Sequence, residues 1–148
     1  MLNDSSVSAN ATYLNSFVPQ SLGIFTWRAV RNRILVRLEL DKRGVDLESV
    51  RCPVCDNALE SVSHAMLDYN LAKEVWDCVH LWWGAAPGLN DFSIHTIFDI
   101  EHGNPRSNDG HKTWQATKWV CGYLIWKNRN QQVFQNKCKT ALDILSEI

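Results

Sequence analysis

Cys52-Pro53-Val54-Cys55 puts two thiols on one short turn, and His64 follows nine residues after Cys55. Tetrahedral zinc takes soft sulfur and imidazole readily, and a Cys-x-x-Cys turn presents both sulfurs from one loop, which Pro53 stiffens. The sulfurs must be deprotonated to bind, and the ion deprotonates them through its own charge, so such a site is coupled to folding and to pH. A closed structural site takes one further Cys or His near His64, where the chain offers Asp68 and Tyr69. Three readings of these residues stand side by side. Cys52, Cys55 and His64 hold zinc, with water or Asp68 in the fourth position. Alternatively the site is eroded and the cysteines are free thiols. A redox dithiol also fits Cys-Pro-x-Cys, although it lacks the strand-then-helix setting that lowers a nucleophilic thiol's pKa.

The other reactive side chains form no comparable set. His80, His95, His102 and His111 contain no His-x-x-x-His pair and read as surface or core histidines. Cys78 lies on an apolar helix face and is expected in the core. Cys121 sits in a segment apolar nearly all round, and Cys138 sits in a polar stretch with no ligand-like neighbour. Trp114, Trp119, Tyr123 and Trp126 invite a stacking platform for single strands, but interleaved with Val120, Leu124 and Ile125 they read as core. Arg28, Arg31, Arg33, Arg37 and Arg43 crowd one segment with Lys42, against only Glu39 and Asp41. They suit phosphate contacts that weaken steeply with salt, or a solvated helix face. Residues 46–101 are acidic and residues 113–140 are basic without an acid. Two basic ends around an acidic middle serve nucleic acid or dock on that middle. There is no Gly-x-x-x-x-Gly-Lys, Gly-x-Ser-x-Gly or His-Glu-x-x-His motif, and no adjacent aspartate pair for a two-metal polymerase centre. The residues predict a non-catalytic protein.

These side chains need elements to position them. Apolar spacing from Leu22 to Val30 after Pro19 predicts a helix over 20–32. A second stretch, 35–42, ends at Gly44, a C′ glycine. Residues 45–60 read as a loop with a short hairpin, and Ser61 or Ser63 caps a turn carrying His64 to Leu67. Asn70 is expected to cap the clearest helix, whose face is Leu71, Val75, Cys78, Val79 and Trp82 and whose stop is Gly84. The segment 92–100 fits helix or strand. A long helix over 112–135 capped by Asp109 precedes another over 140–148. The organisation is thus a flexible N-terminus (1–18), a domain (19–84), a linker with a short element (85–111) and C-terminal helices (112–148). The fold class is mainly α: a small helical domain with a zinc-knuckle-like Cys-x-x-Cys…His loop and a C-terminal helical pair.

A chain of 148 residues with 45% hydrophobic residues and seven tryptophans can bury a real core. Its net charge of −1 names no partner. No apolar run reaches the ~18 residues of a membrane span. The N-terminus lacks a signal-peptide pattern, so reduced thiols and a nuclear or cytoplasmic location are expected.

Several motifs occur in order: Phe25-Thr26-Trp27-Arg28, Asn32-Arg33-Ile34-Leu35, Leu40 to Val45, Cys52-Pro53-Val54-Cys55, Glu60 to His64, and Leu71 to Trp76. Together they resemble the zinc-binding domain found downstream of the reverse transcriptase in plant LINE-type (non-LTR) retrotransposons. The likeness runs from about Pro19 to Gly84, with an echo at Leu124 to Asn130 and at Val133-Phe134. It implies zinc on Cys52, Cys55 and His64, RNA or DNA as partner through the arginines, and an isolated fragment without its polymerase. A protein partner is the alternative; no membrane and no small-molecule substrate are implied. Tyr69 stands where the family carries its last cysteine, and a phenol neutral near pH 7 is a poor zinc ligand. After Asn32-Arg33 the family carries Leu-Pro-Thr where this chain has Ile34-Leu35-Val36, so without the proline the two first helices are expected to run together.

Overall fold

The computed structural model describes residues 15–84, 93–98 and 109–148. Helix α1 (Gln20–Val30) begins after Pro19 and buries Gly23, Thr26, Ala29 and Val30 along one face. It does not run on into the next helix. Asn32 takes a left-handed conformation (φ 53°), and the Arg33 N–H reaches back to the Arg28 carbonyl at 2.7 Å. That is a Schellman-type stop in which asparagine replaces the usual glycine. The expected continuous helix is therefore corrected: the freed segment turns Ile34 and Val36 inward, 5% and 0% exposed. Helix α2 (Arg37–Lys42) is short and ends at Gly44, whose φ of 81° is the left-handed stop expected there.

Residues 45–60 hold one isolated antiparallel bridge, Arg51 to Leu59. No strand forms among the described residues. Ser61 Oγ accepts the His64 N–H at 3.0 Å and starts a turn that widens into a π-helix over His64–Asp68. Single π-turns are uncommon and concentrate at functional sites. Helix α3 (Asn70–Trp83) follows directly and stops at left-handed Gly84. Asn70 is its first helical residue and not its cap; Tyr69, in extended backbone, occupies the cap position without a side-chain bond. The buried face is Ala72, Val75, Trp76 and Val79. Cys78 and Trp82 are exposed, correcting their assignment to the core. Val75 and Val79 are buried as predicted, while Ala72 and Trp76, whose indole N–H donates to the Met66 carbonyl at 2.8 Å, complete the buried face in place of Cys78 and Trp82.

The described part of the ambiguous segment is helical, α4 (Ile94–Phe98). Phe92, Ile100, His102 and most of the expected linker lie outside the described residues. Helix α5 (Asp109–Gln135) is the longest element, with Asp109 in its first turn, and α6 (Ala141–Leu145) closes the chain. At ~1.5 Å per residue, α5 is about 40 Å long and can serve every other layer. It packs against α1, the π-turn, α3, α4 and α6, while α6 also packs on α3. Trp119, fully buried, donates to the Phe98 carbonyl at 3.1 Å. Gly122 lies where a Cβ would meet the Phe98 ring at 2.6 Å and the Met66 methyl at 3.3 Å. The described residues are mainly helical, as expected. No described helix is long and apolar enough to cross a membrane.

One polar contact joins the metal-loop segment to α5. Glu60, fully buried, receives Arg129 Nε on Oε1 and Nη2 on Oε2, each at 2.6 Å. Glu60 Oε2 also accepts the Arg37 N–H at 2.8 Å, which anchors the start of α2. The Arg129 guanidinium lies over the Trp126 ring, 5.0 Å from its centre. A bidentate, hydrogen-bonded geometry of this kind is what lets an ion pair be tolerated in an interior.

Candidate metal centre

The turn and the π-helix bring Cys52, Cys55 and His64 together. One donor atom from each, the two sulfurs and a ring nitrogen, lies within 4.8 Å of the others, and Cys55 Sγ is 3.2 Å from His64 Nε2. Zn–S bonds of about 2.3 Å and Zn–N bonds of about 2.0 Å at tetrahedral angles separate such donors by roughly 3.5–3.8 Å. The three residues therefore fit a zinc ion in both chemistry and spacing.

Local structure explains the convergence. The Cys52 N–H donates to the Ala58 carbonyl at 2.7 Å and the Asp56 N–H to the Cys52 carbonyl at 2.9 Å, folding the loop on itself. Asp56 takes the left-handed turn position with φ 54°. Cys52 is buried, Cys55 is half-buried and His64 is 9% exposed. Burial pushes the Cys52 thiol up, while the backbone N–H groups of Cys55 and Val54 favour its thiolate. A cation at this point would reverse the balance by supplying the missing charge.

Neither sequence candidate for the fourth position joins the set. Asp68 is exposed, its carboxylate accepts from Ser63 Oγ at 3.4 Å, and it lies outside the donor cluster. Tyr69 is buried, and burial holds its phenol at a pKa of about 12. Its Oη has no hydrogen-bond partner within bonding distance, and neither has Asn128 Nδ2. Both residues were legible as candidates by spacing, but which way each side chain turns depends on how α5 covers the site.

A solvent-open cleft of about 500 Å³ lies over the centre, lined by Cys55, His64, Asp68, Tyr69, Gln132 and Cys138. Cys138 was read as a cysteine without a ligand-like neighbour. It comes to this cleft from the link between α5 and α6, far away in sequence, and no local spacing announces it. Cys121 is fully buried inside α5, where burial pushes its thiol far up.

The five arginines sit around α1 and α2. Arg28, Arg31, Arg33 and Arg43 are exposed and Arg37 is half-buried. Arg31 and Arg33 both lie over the Trp27 ring, 5.3 and 5.1 Å from its centre. Arg37 Nη1 donates to the Ser49 and Arg51 carbonyls at 3.4 and 3.2 Å, so it also braces the loop before Cys52. Among the described residues none of the five pairs with a carboxylate. Arg28, Arg33 and Arg37 line a second open cleft, of about 650 Å³, together with Ile24, Leu35 and Phe134. Of the aromatic residues in α5, Trp119 is core, Tyr123 is 39% exposed with its ring edge-to-face on Phe25, and Trp114 stacks on Trp83 at 5.0 Å.

The protein family described as zinc-binding in reverse transcriptase matches residues 2–76, which contain all three converging ligands. No curated protein and no solved structure matches the chain.

Proposed function

Because the chain belongs to the zinc-binding in reverse transcriptase family, we propose that it is a non-catalytic module in which zinc on Cys52, Cys55 and His64 organises a nucleic-acid-binding surface. The observation that carries the reading is a set of arginines that have no acidic partner among the described residues. Arg28, Arg33 and Arg37 line one open cleft, and Arg31 stacks beside Arg33 on Trp27. Planar guanidiniums fixed against an aromatic face keep their donors free for phosphate. Phe134, 77% exposed on the same cleft, offers a face for an unstacked base. Of the acidic middle, the buried Glu60 pairs with Arg129 from α5 and not with a guanidinium of this surface. The family match reaches a zinc-binding region and no polymerase region, in keeping with an accessory role.

Fluorescence anisotropy of the zinc-loaded full chain against labelled single-stranded RNA and DNA tests this. Binding at low salt should weaken as salt rises. The variant Arg28→Ala/Arg31→Ala/Arg33→Ala should weaken it further and flatten the logarithmic salt slope by about 0.7 for each lost phosphate contact. No binding at low salt, or a slope untouched by the triple variant, overturns the proposal. The apolar part of the cleft, with Ile24 48% and Leu35 57% exposed, favours a second reading as a protein-docking surface. Under that reading Leu35→Asp abolishes partner binding while salt has little effect.

A further inference from the structure

The zinc reading leaves the fourth ligand position open, and a further cysteine reaches the cleft over the centre from outside the region that the family matches. We propose that Cys138 closes the metal centre, its sulfur replacing a water as fourth ligand and its thiol proton passing to solvent.

Three observations carry this. Cys138 lines the same cleft as Cys55 and His64 and is exposed, and its sulfur makes a weak 3.6 Å approach to the Lys139 carbonyl. The link that carries it is tied down on both sides. The Lys137 N–H donates to the Gln131 carbonyl at 3.2 Å and the Lys139 N–H to Asn128 Oδ1 at 3.0 Å, while Lys139 Nζ pairs with Glu147. Left-handed Asn136, at φ 52°, turns the chain back from the end of α5. The third observation is independent of the cysteine. Tyr69, 5% exposed, lines the cleft with its Oη lacking any hydrogen-bond partner. A buried phenol oxygen beside a donor cluster, with no bond to the described side chains, calls for a partner that the cleft can supply.

Cys138 is not among the atoms that lie within 4.8 Å of one another. Closure therefore needs the five-residue link to shift inward against the Lys137–Gln131 and Lys139–Asn128 hydrogen bonds that hold it, a cost that the zinc–thiolate bond must outweigh. Thiolate is the better fourth ligand on chemical grounds, since structural zinc favours closed Cys₃His sets, whereas the Asp68 carboxylate accepts from Ser63 and lies outside the donor cluster. The consequence is mechanical. Closure would tie the link before α6 to the loop before α3, fastening the C-terminal end of the chain through the metal.

This inference rests on the zinc reading, and the test separates the two. The full chain is titrated with Co²⁺ under reducing conditions, alongside Cys138→Ser, Cys52→Ser and, as control, Cys78→Ser on the exposed side of α3. The native chain should show thiolate-to-cobalt absorption of three sulfurs. Cys138→Ser should fall to that of two and bind more than about 100-fold less tightly, beyond what loss of a supporting group produces. Cys78→Ser should match native. Zinc should also slow alkylation of Cys138, read by mass spectrometry on the native chain, while leaving Cys78 reactive. A two-sulfur spectrum in the native chain, unchanged in Cys138→Ser, overturns the role of Cys138 and leaves the zinc site standing. No tetrahedral cobalt spectrum in any form removes both.

Discussion

At Tyr69 a phenol stands where the family resemblance implies a cysteine ligand, and its surroundings explain why it does not act as one. Burial holds its pKa at about 12, so at neutral pH it stays protonated and offers zinc only a neutral oxygen. Its Oη is also unbonded. Removing a hydroxyl that makes no bond relieves a desolvation penalty and leaves the ring's packing intact. Tyr69→Phe should accordingly keep the native metal affinity and melt at or above the native temperature in a calorimetric scan. A clear loss of metal affinity would assign the phenol to the centre after all. Cys52, Cys55 and His64 were legible from type and spacing alone, because a Cys-x-x-Cys turn fixes its own sulfurs locally. Cys138 was not legible, because its place is set by where α5 ends and how Asn136 turns the chain.

Helix boundaries follow local chemistry where that chemistry is self-contained. Gly44 and Gly84 stop α2 and α3 as their positive φ requires. Asn32 performs the same task for α1, and its effect was missed because asparagine is a weaker signal than the proline whose absence argued for a continuous helix. The cap of α6 is a complete capping box: Thr140 Oγ1 accepts the Asp143 N–H, and the Asp143 carboxylate accepts the Thr140 N–H at 2.9 Å. The Thr140 backbone N–H, followed by its hydroxyl, holds the Asp143 carboxyl below its ordinary range. A depressed carboxylate contributes stability that is present above the unfolded pKa and lost as pH falls through the folded one. An NMR titration should place the Asp143 midpoint below that of an ordinary aspartate, with the α6 amides losing exchange protection as pH falls through it. Thr140→Ala should return the midpoint to the ordinary value. A native Asp143 midpoint no lower than that of Thr140→Ala contradicts the cap.

Across the whole molecule, the Glu60–Arg129 pair is the polar link between the metal-loop half and the long helix. Both residues are nearly inaccessible, at 0% and 4% exposed, so removing one strands the other as an uncompensated buried charge. Arg129→Met and Glu60→Gln should each cost about 3–5 kcal/mol in urea unfolding, and the double variant much less than their sum. Additive losses would show that the two side chains do not act as a unit. Arg129→Met should also loosen α2, since Glu60 Oε2 holds the Arg37 N–H as well.

The amino-acid sequence by itself determined the helical class, the metal turn and the glycine stops, because each depends on contacts within a few residues. Only the tertiary structure decided which face of α3 is buried, which cation answers Glu60, and which cysteine comes to the open side of the metal centre. Those outcomes depend on how α5 lies across the other helices, and packing between elements distant in the chain leaves no periodic mark in either partner.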